Sequence, residues 1–199
     1  MIKELPFVEP EIITFVYEAY PLGIMKANGI DYKKWLYSNY IQINCHDDIV
    51  KEKEVFNVFY GEVGINAPYL NVQKYSLDFL KRADMDLIQF FKKCIELDCY
   101  VYLKMDEFYI PQRDEYRKET FIHDEMITGY DESGFGVLGY DDKGKISKMI
   151  LGFDEFLLAV SSNDSVYQKR MWADDVFVIT PIKNSYELNI NLIKRSLFD

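Results

Sequence analysis

A chain of 199 residues is the size of one domain, and at that length folding buries enough surface for a core that needs no staples. Its formal net charge of −10, from 33 acidic against 23 basic side chains, argues against a nucleic-acid backbone or an anionic membrane surface as partner. Cysteines at 45, 94 and 99 are odd in number and lack Cys-x-x-Cys spacing, which rules against a disulfide framework and a structural zinc site and points to reduced thiols in the cytoplasm.

The aromatic content is high, with 14 Phe, 16 Tyr and 2 Trp. Tyrosine is amphipathic, so so many of them predict cleft walls and half-buried surfaces as well as core. The first residues, Met-Ile-Lys-Glu-Leu-Pro, contain no apolar signal core, and no apolar run approaches membrane-spanning length.

In chain order, Pro6 and Pro10 punctuate the start, and Glu11 to Asn28 reads as a helix with apolar positions Ile12, Ile13, Phe15, Val16, Ala19, Leu22, Ile24 and Met25. Pro21 predicts a kink or split in it, and Asn28-Gly29 predicts its end. Residues 35–45 finish on alternating Ile41, Ile43 and Cys45, which predicts a strand. A charged turn over 47–54 and a second short strand over 55–60 follow.

Asp84 to Leu97 carries the clearest helical pattern, with Asp84 or Asp86 as cap and Leu87, Phe90, Phe91, Cys94 and Ile95 as one apolar stripe. Cys99 to Ile110 predicts a strand stopped by Pro111, and 112–119 a polar loop. Strands follow over 121–130, 135–140 and 146–151, separated by turns at Asp131-Glu-Ser-Gly134 and Asp141-Asp-Lys-Gly-Lys145. A short helix over 154–160, a strand over 175–179 and a helix over 186–198 complete the chain. Helices followed by an antiparallel meander give the α+β class, the sheet packed against N-terminal and central helices.

The stretch Tyr100-Val-Tyr-Leu-Lys-Met-Asp-Glu-Phe-Tyr-Ile-Pro111, then a polar loop, then His123-Asp-Glu-Met-Ile-Thr-Gly-Tyr-Asp131 resembles the N-terminal domain of the butirosin biosynthesis protein H family. The hairpin after it, Phe153-Asp-Glu-Phe156 and Tyr186-Glu-Leu-Asn-Ile190 fit as well, so the resemblance spans roughly residues 20 to 199. That family is similar in fold to papain-like cysteine peptidases. Some members move an acyl chain from a carrier-protein thioester to an amine in natural-product pathways. The resemblance therefore implies a single papain-like domain over 1–199, an acyl carrier protein and an amine acceptor as partners, and no cofactor. Many members are longer, so a family C-terminal region is expected to follow the last helix.

A papain-like site needs a thiol, a histidine to take its proton, and a carboxylate or amide to hold the imidazole. The chain has two histidines, His46 and His123. His123 stands at the family's histidine position and is the expected base. Asp141, at the end of the next strand, is the expected orienter, with Asp142 as the second candidate; a solvated turn carboxylate is the alternative for both. The family's nucleophile opens an N-terminal helix, whose dipole lowers the thiol pKa. The matching segment, Phe15 to Met25, has no cysteine. Cys94 lies on the apolar stripe and Cys99 begins a central strand, so both are expected in the core. Cys45, beside a polar turn, is left as nucleophile or bystander. If the thiol is absent, the domain is a catalytically inactive binding module for a carrier protein or a peptide. The carboxylates Asp106, Glu107, Asp124, Glu125 and Asp131 lack any metal-ligand spacing, so no metal is expected.

Overall fold

The structure, a computed structural model, describes residues 3–41, 65–161 and 174–198, together with the backbone at 44–45 and 56–57. Among these residues it is α+β, with six α-helices and a seven-stranded sheet in which every pairing is antiparallel.

The N-terminal chain adds a short strand, β1 (Lys3–Glu4), and then runs extended to α1 (Val16–Ala27). This helix starts later than its apolar pattern suggests, because Phe15 at its N-cap is extended and 11–14 make no helical turn. Pro21 lies inside α1 and does not split it. Loss of one i→i−4 bond is offset where the flanking turns are buried, and all of Glu18 to Met25 is buried. The chain leaves α1 at Gly29, whose φ of 66 is the left-handed conformation that closes helices.

Residues expected to form a strand from position 35 instead form α2 (Lys33–Asn39). Trp35, Leu36 and Ser38 are its buried positions, and Ser38 and Asn39 bond back to the carbonyls of Lys34 and Trp35. Among the described residues there, β2 (Asn44–Cys45) is extended, paired with β3 (Phe56–Asn57). The rest of the expected turn and second strand lies outside the described residues.

β4 (Leu70–Ser76) has no counterpart in the sequence reading. It is a sheet edge, and Asn71, Lys74 and Gln73 leave it little apolar alternation. Ser76 then caps α3 (Leu77–Arg82) by accepting from the Phe79 amide at 3.0 Å. α4 (Leu87–Glu96) follows, capped by Asp86.

β5 (Tyr100–Asp106) is buried at nearly every position, and a 3-10 turn at Glu107–Tyr109 ends it earlier than Pro111 predicts. β6 (Ile122–Tyr130), β7 (Gly134–Tyr140) and β8 (Ile146–Gly152) form the expected meander. α5 (Phe153–Ser161), β9 (Asp175–Pro181) and α6 (Ile190–Phe198) complete the order. The main path of the sheet is β4-β9-β5-β6-β7-β8, and β1 pairs with the far end of β6.

The sheet has helices on both faces. Tyr20 of α1 packs its ring 5.8 Å from Tyr102, on the face that register assigns to Tyr102, Asp124, Met126 and Leu138. Phe91 of α4 and Phe156 of α5 lie 5.6 Å apart and both meet Phe135 on the other face. All three phenylalanines are fully buried. Each such ring contributes about 1.5–3 kcal/mol of transfer free energy. Among the described residues no helix is long and apolar enough to cross a membrane.

Candidate functional site

Met105 pairs with His123, Leu103 with Glu125 and Val101 with Ile127, so these residues share the face covered by α4 and α5. His123 is held from β6 while β5 ends opposite it. Asp106 is fully buried, and its Oδ1 accepts from the amides of Phe108 at 3.1 Å and Phe121 at 3.0 Å. The Glu107 amide donates to the Phe121 carbonyl at 2.8 Å. The 3-10 turn is thus pinned to the start of β6, and this swings the Glu107 side chain under the imidazole.

Glu107 Oε1 lies 2.9 Å from His123 Nδ1. Glu107 is buried, and the His123 side chain keeps 26% of its exposure. With Nδ1–H donating to the carboxylate, Nε2 is the nitrogen left for chemistry. Burial alone would lower the His123 pKa. The hydrogen bond and charge of Glu107, followed by the charges of Asp124 and Glu125, outweigh it and raise it above the ordinary imidazole value. The rings of Phe121 and Tyr140 flank the imidazole at 5.4 and 6.1 Å.

Behind this dyad sits a buried ion pair. Arg113 Nε donates to Glu125 Oε1 at 2.9 Å, and Nη2 donates to Oε2 at 2.8 Å. Both side chains are almost completely shielded, at 1% and 0% exposure. Burial pushes the Glu125 carboxyl up, against the pull of Arg113. A ligand atom each from Glu107, His123 and Glu125 lie within 4.8 Å of one another, the one such group among the described residues. Those donors suit a cation, but the Arg113 fork already spans both Glu125 oxygens and supplies positive charge there.

The expected orienter has a different task. Asp141 Oδ1 accepts from the amides of Lys143 and Lys145, both at 2.9 Å, and those bonds hold its carboxyl below the usual range. It closes its own turn, as Asp does at such positions, and the carboxylate on His123 is Glu107. Asp142 is exposed at the tip of that turn.

The cysteines separate by place. Cys94 is buried, and burial, with a smaller contribution from the Cys99 charge, pushes its thiol up to about 11. Cys99 is half-buried rather than buried, because it precedes the strand and faces Thr180 Oγ1 at 3.2 Å. It stands six residues before Met105, the partner of His123, which is about 20 Å along a strand. Cys45 pairs with Phe56 in the small β2–β3 ribbon, and its side chain, like all of His46, lies outside the described residues. The start of α1 presents Val16, Tyr17 and Glu18, none of them a thiol, and Tyr140, whose ring flanks His123, donates to the carbonyl of Ile13 just before that helix.

An open concavity lined by Tyr186 to Asn191 offers less chemistry, since its one carboxylate, Glu187, is paired with Lys34 at 2.9 Å. Compared with known families and with curated proteins, the chain matches no family model and no curated protein.

Proposed function

We propose that this chain is a papain-like acyltransferase in which the His123–Glu107 dyad serves a thiol supplied by Cys45. The observation that carries this reading is the imidazole itself: half-buried, fixed at Nδ1 by a buried carboxylate, and left with one nitrogen to work. An orienter on Nδ1 is what a Cys-His site requires, and a carboxylate meets that requirement as an amide does. In the first half-reaction the Cys45 thiolate attacks the thioester carbonyl, and the carrier thiol leaves with the proton held by His123. In the second, an amine attacks the acyl-enzyme, His123 takes its proton, and Cys45 is released as thiolate. The amide product and the carrier thiol balance the reaction.

A second reading is favoured by α1. Its first turn has no thiol, although the chain just before it reaches Tyr140 beside His123. A domain with that arrangement binds a carrier protein or peptide without turning it over, and the dyad is then a structural ion pair. The two readings part in one assay. Acyl-pantetheine thioesters are offered with a soluble primary amine, and free pantetheine and amide are measured for wild type, Cys45→Ala and His123→Ala. The acyltransferase reading expects both variants to lose 100-fold or more. Turnover that survives Cys45→Ala removes the thiol mechanism, and no turnover in the wild type leaves the binding reading.

A further inference from the structure

We propose that Arg113 is a positioning residue of this site: its guanidinium fork holds Glu125 away from His123, so that Glu107 alone accepts from the imidazole.

Three independent features place that guanidinium. Gln112, the residue before it, is in the left-handed region at φ 79, which a non-glycine residue adopts only where the surroundings impose it. Gly139 lies opposite on β7, where a Cβ would stand 2.2 Å from Arg113 Nη2 and 2.2 Å from Glu125 Oε2. Only a residue without a side chain leaves room for the fork over the carboxylate. The fork itself is bidentate and closed to solvent.

The need for such a clamp follows from the distances. Glu107, Glu125 and His123 come within 4.8 Å of one another. Two buried carboxylates that close share a proton and compete for one imidazole. The Arg113 fork engages both Glu125 oxygens, and among the described residues the carboxylate hydrogen-bonded to His123 is that of Glu107. Two neutral pairs result, Arg113 with Glu125 and His123 with Glu107. The other groups facing this cluster are Asp124, engaged by Lys104 and Tyr102, and the hydroxyls of Tyr20 and Tyr140. Tyr20 is engaged by the Asp124 and Leu138 carbonyls, and Tyr140 by that of Ile13.

The inference concerns the dyad that the acyltransferase reading relies on, but its test reads the imidazole rather than turnover, so the two fail separately. In a His46→Asn background, His123 is the only imidazole, and its side-chain nitrogens are titrated by NMR. Glu107→Gln lowers the His123 midpoint by about one unit or more, because its anion is gone. Adding Arg113→Met to Glu107→Gln frees Glu125, which turns to the imidazole and raises the midpoint at least halfway back. A merely structural Arg113 gives no such rescue when Arg113→Lys replaces Arg113→Met, a change that keeps the charge and removes the fork, so that loss of the cation cannot by itself raise the midpoint. A folded double variant whose midpoint stays at or below that of Glu107→Gln overturns the proposal. If the double variant does not fold, Arg113→Lys with Glu107→Gln keeps the buried charge and removes the fork, and the same two outcomes decide it.

Discussion

At one end of β5, Cys99 follows Cys94 across the turn that leaves α4, and Thr180 is the polar side chain at the Cys99 sulfur. At the other end, Asp106, the Glu107–His123 pair and the Arg113–Glu125 pair lie together as a buried polar cluster. The first end has thiols and no imidazole, and burial makes Cys94 a poor nucleophile. The second has an oriented imidazole, for which the proposed acyltransferase reading takes Cys45 of the β2–β3 ribbon as the thiol. The difference is one of compensation. A thiol is buried as a small apolar group, whereas charges are buried here only because each is paired.

Breaking that compensation has the largest expected effect. Arg113→Met leaves Glu125 fully buried with no cation, and about 3–5 kcal/mol of stability is lost, measured by urea unfolding at neutral pH. Arg113→Met with Glu125→Leu removes both charges and recovers most of it. A loss under about 1 kcal/mol for the single variant would mean that the pair is hydrated.

A smaller effect separates Glu107 from Asp141. His123 has its folded pKa raised above the unfolded value of about 6.5. Its contribution to stability is therefore complete below that pH and is lost as pH rises through the folded value. Unfolding free energies between pH 5 and 8 are expected to fall with pH in the wild type and to flatten over that window in Glu107→Gln. Asp141→Asn leaves the profile as in the wild type, because its carboxylate serves the Lys143 and Lys145 amides.

The choice between those two carboxylates shows where the sequence was legible. The meander, the Asp86-capped α4 and α1 follow from alternation, capping and helical spacing, and the structure has all of them. Strand alternation put Asp141 near His123 and carried Cys99 to Ile110 as one strand. That continuation hid Glu107, whose place under the imidazole depends on a 3-10 turn fixed by Asp106 bonding to Phe121, fifteen residues away. The signal that Asp141 was otherwise engaged was local, since Asp-Asp-Lys-Gly is a self-capping turn. The strand expected over 35–45 rested on the alternation of Ile41, Ile43 and Cys45 at its end, whereas Trp35, Leu36 and Ser38 at its start bury as a helix, where Ser38 accepts from the Asn189 amide just before α6. Arg113 gave no signal at all, because a lone arginine in a charged loop does not reveal a partner twelve residues on.

The smallest effect tests the thiol end. Under native conditions at pH 8, alkylation followed by peptide mass spectrometry is expected to find Cys94 the slowest of the three cysteines, since its thiol is buried with its pKa near 11. Labelling of Cys94 as fast as in urea would place it in an open environment and undo the contrast between the two ends of β5.

The acyl-enzyme itself gives the most direct reading of the proposed function. Wild-type protein and His123→Ala are incubated with an acyl-pantetheine thioester, without amine, and the products are digested and weighed. The acyltransferase account predicts one acyl group per chain, carried on the peptide that contains Cys45 in the wild type and lost in His123→Ala. An unmodified Cys45, or equal acylation in His123→Ala, would contradict it.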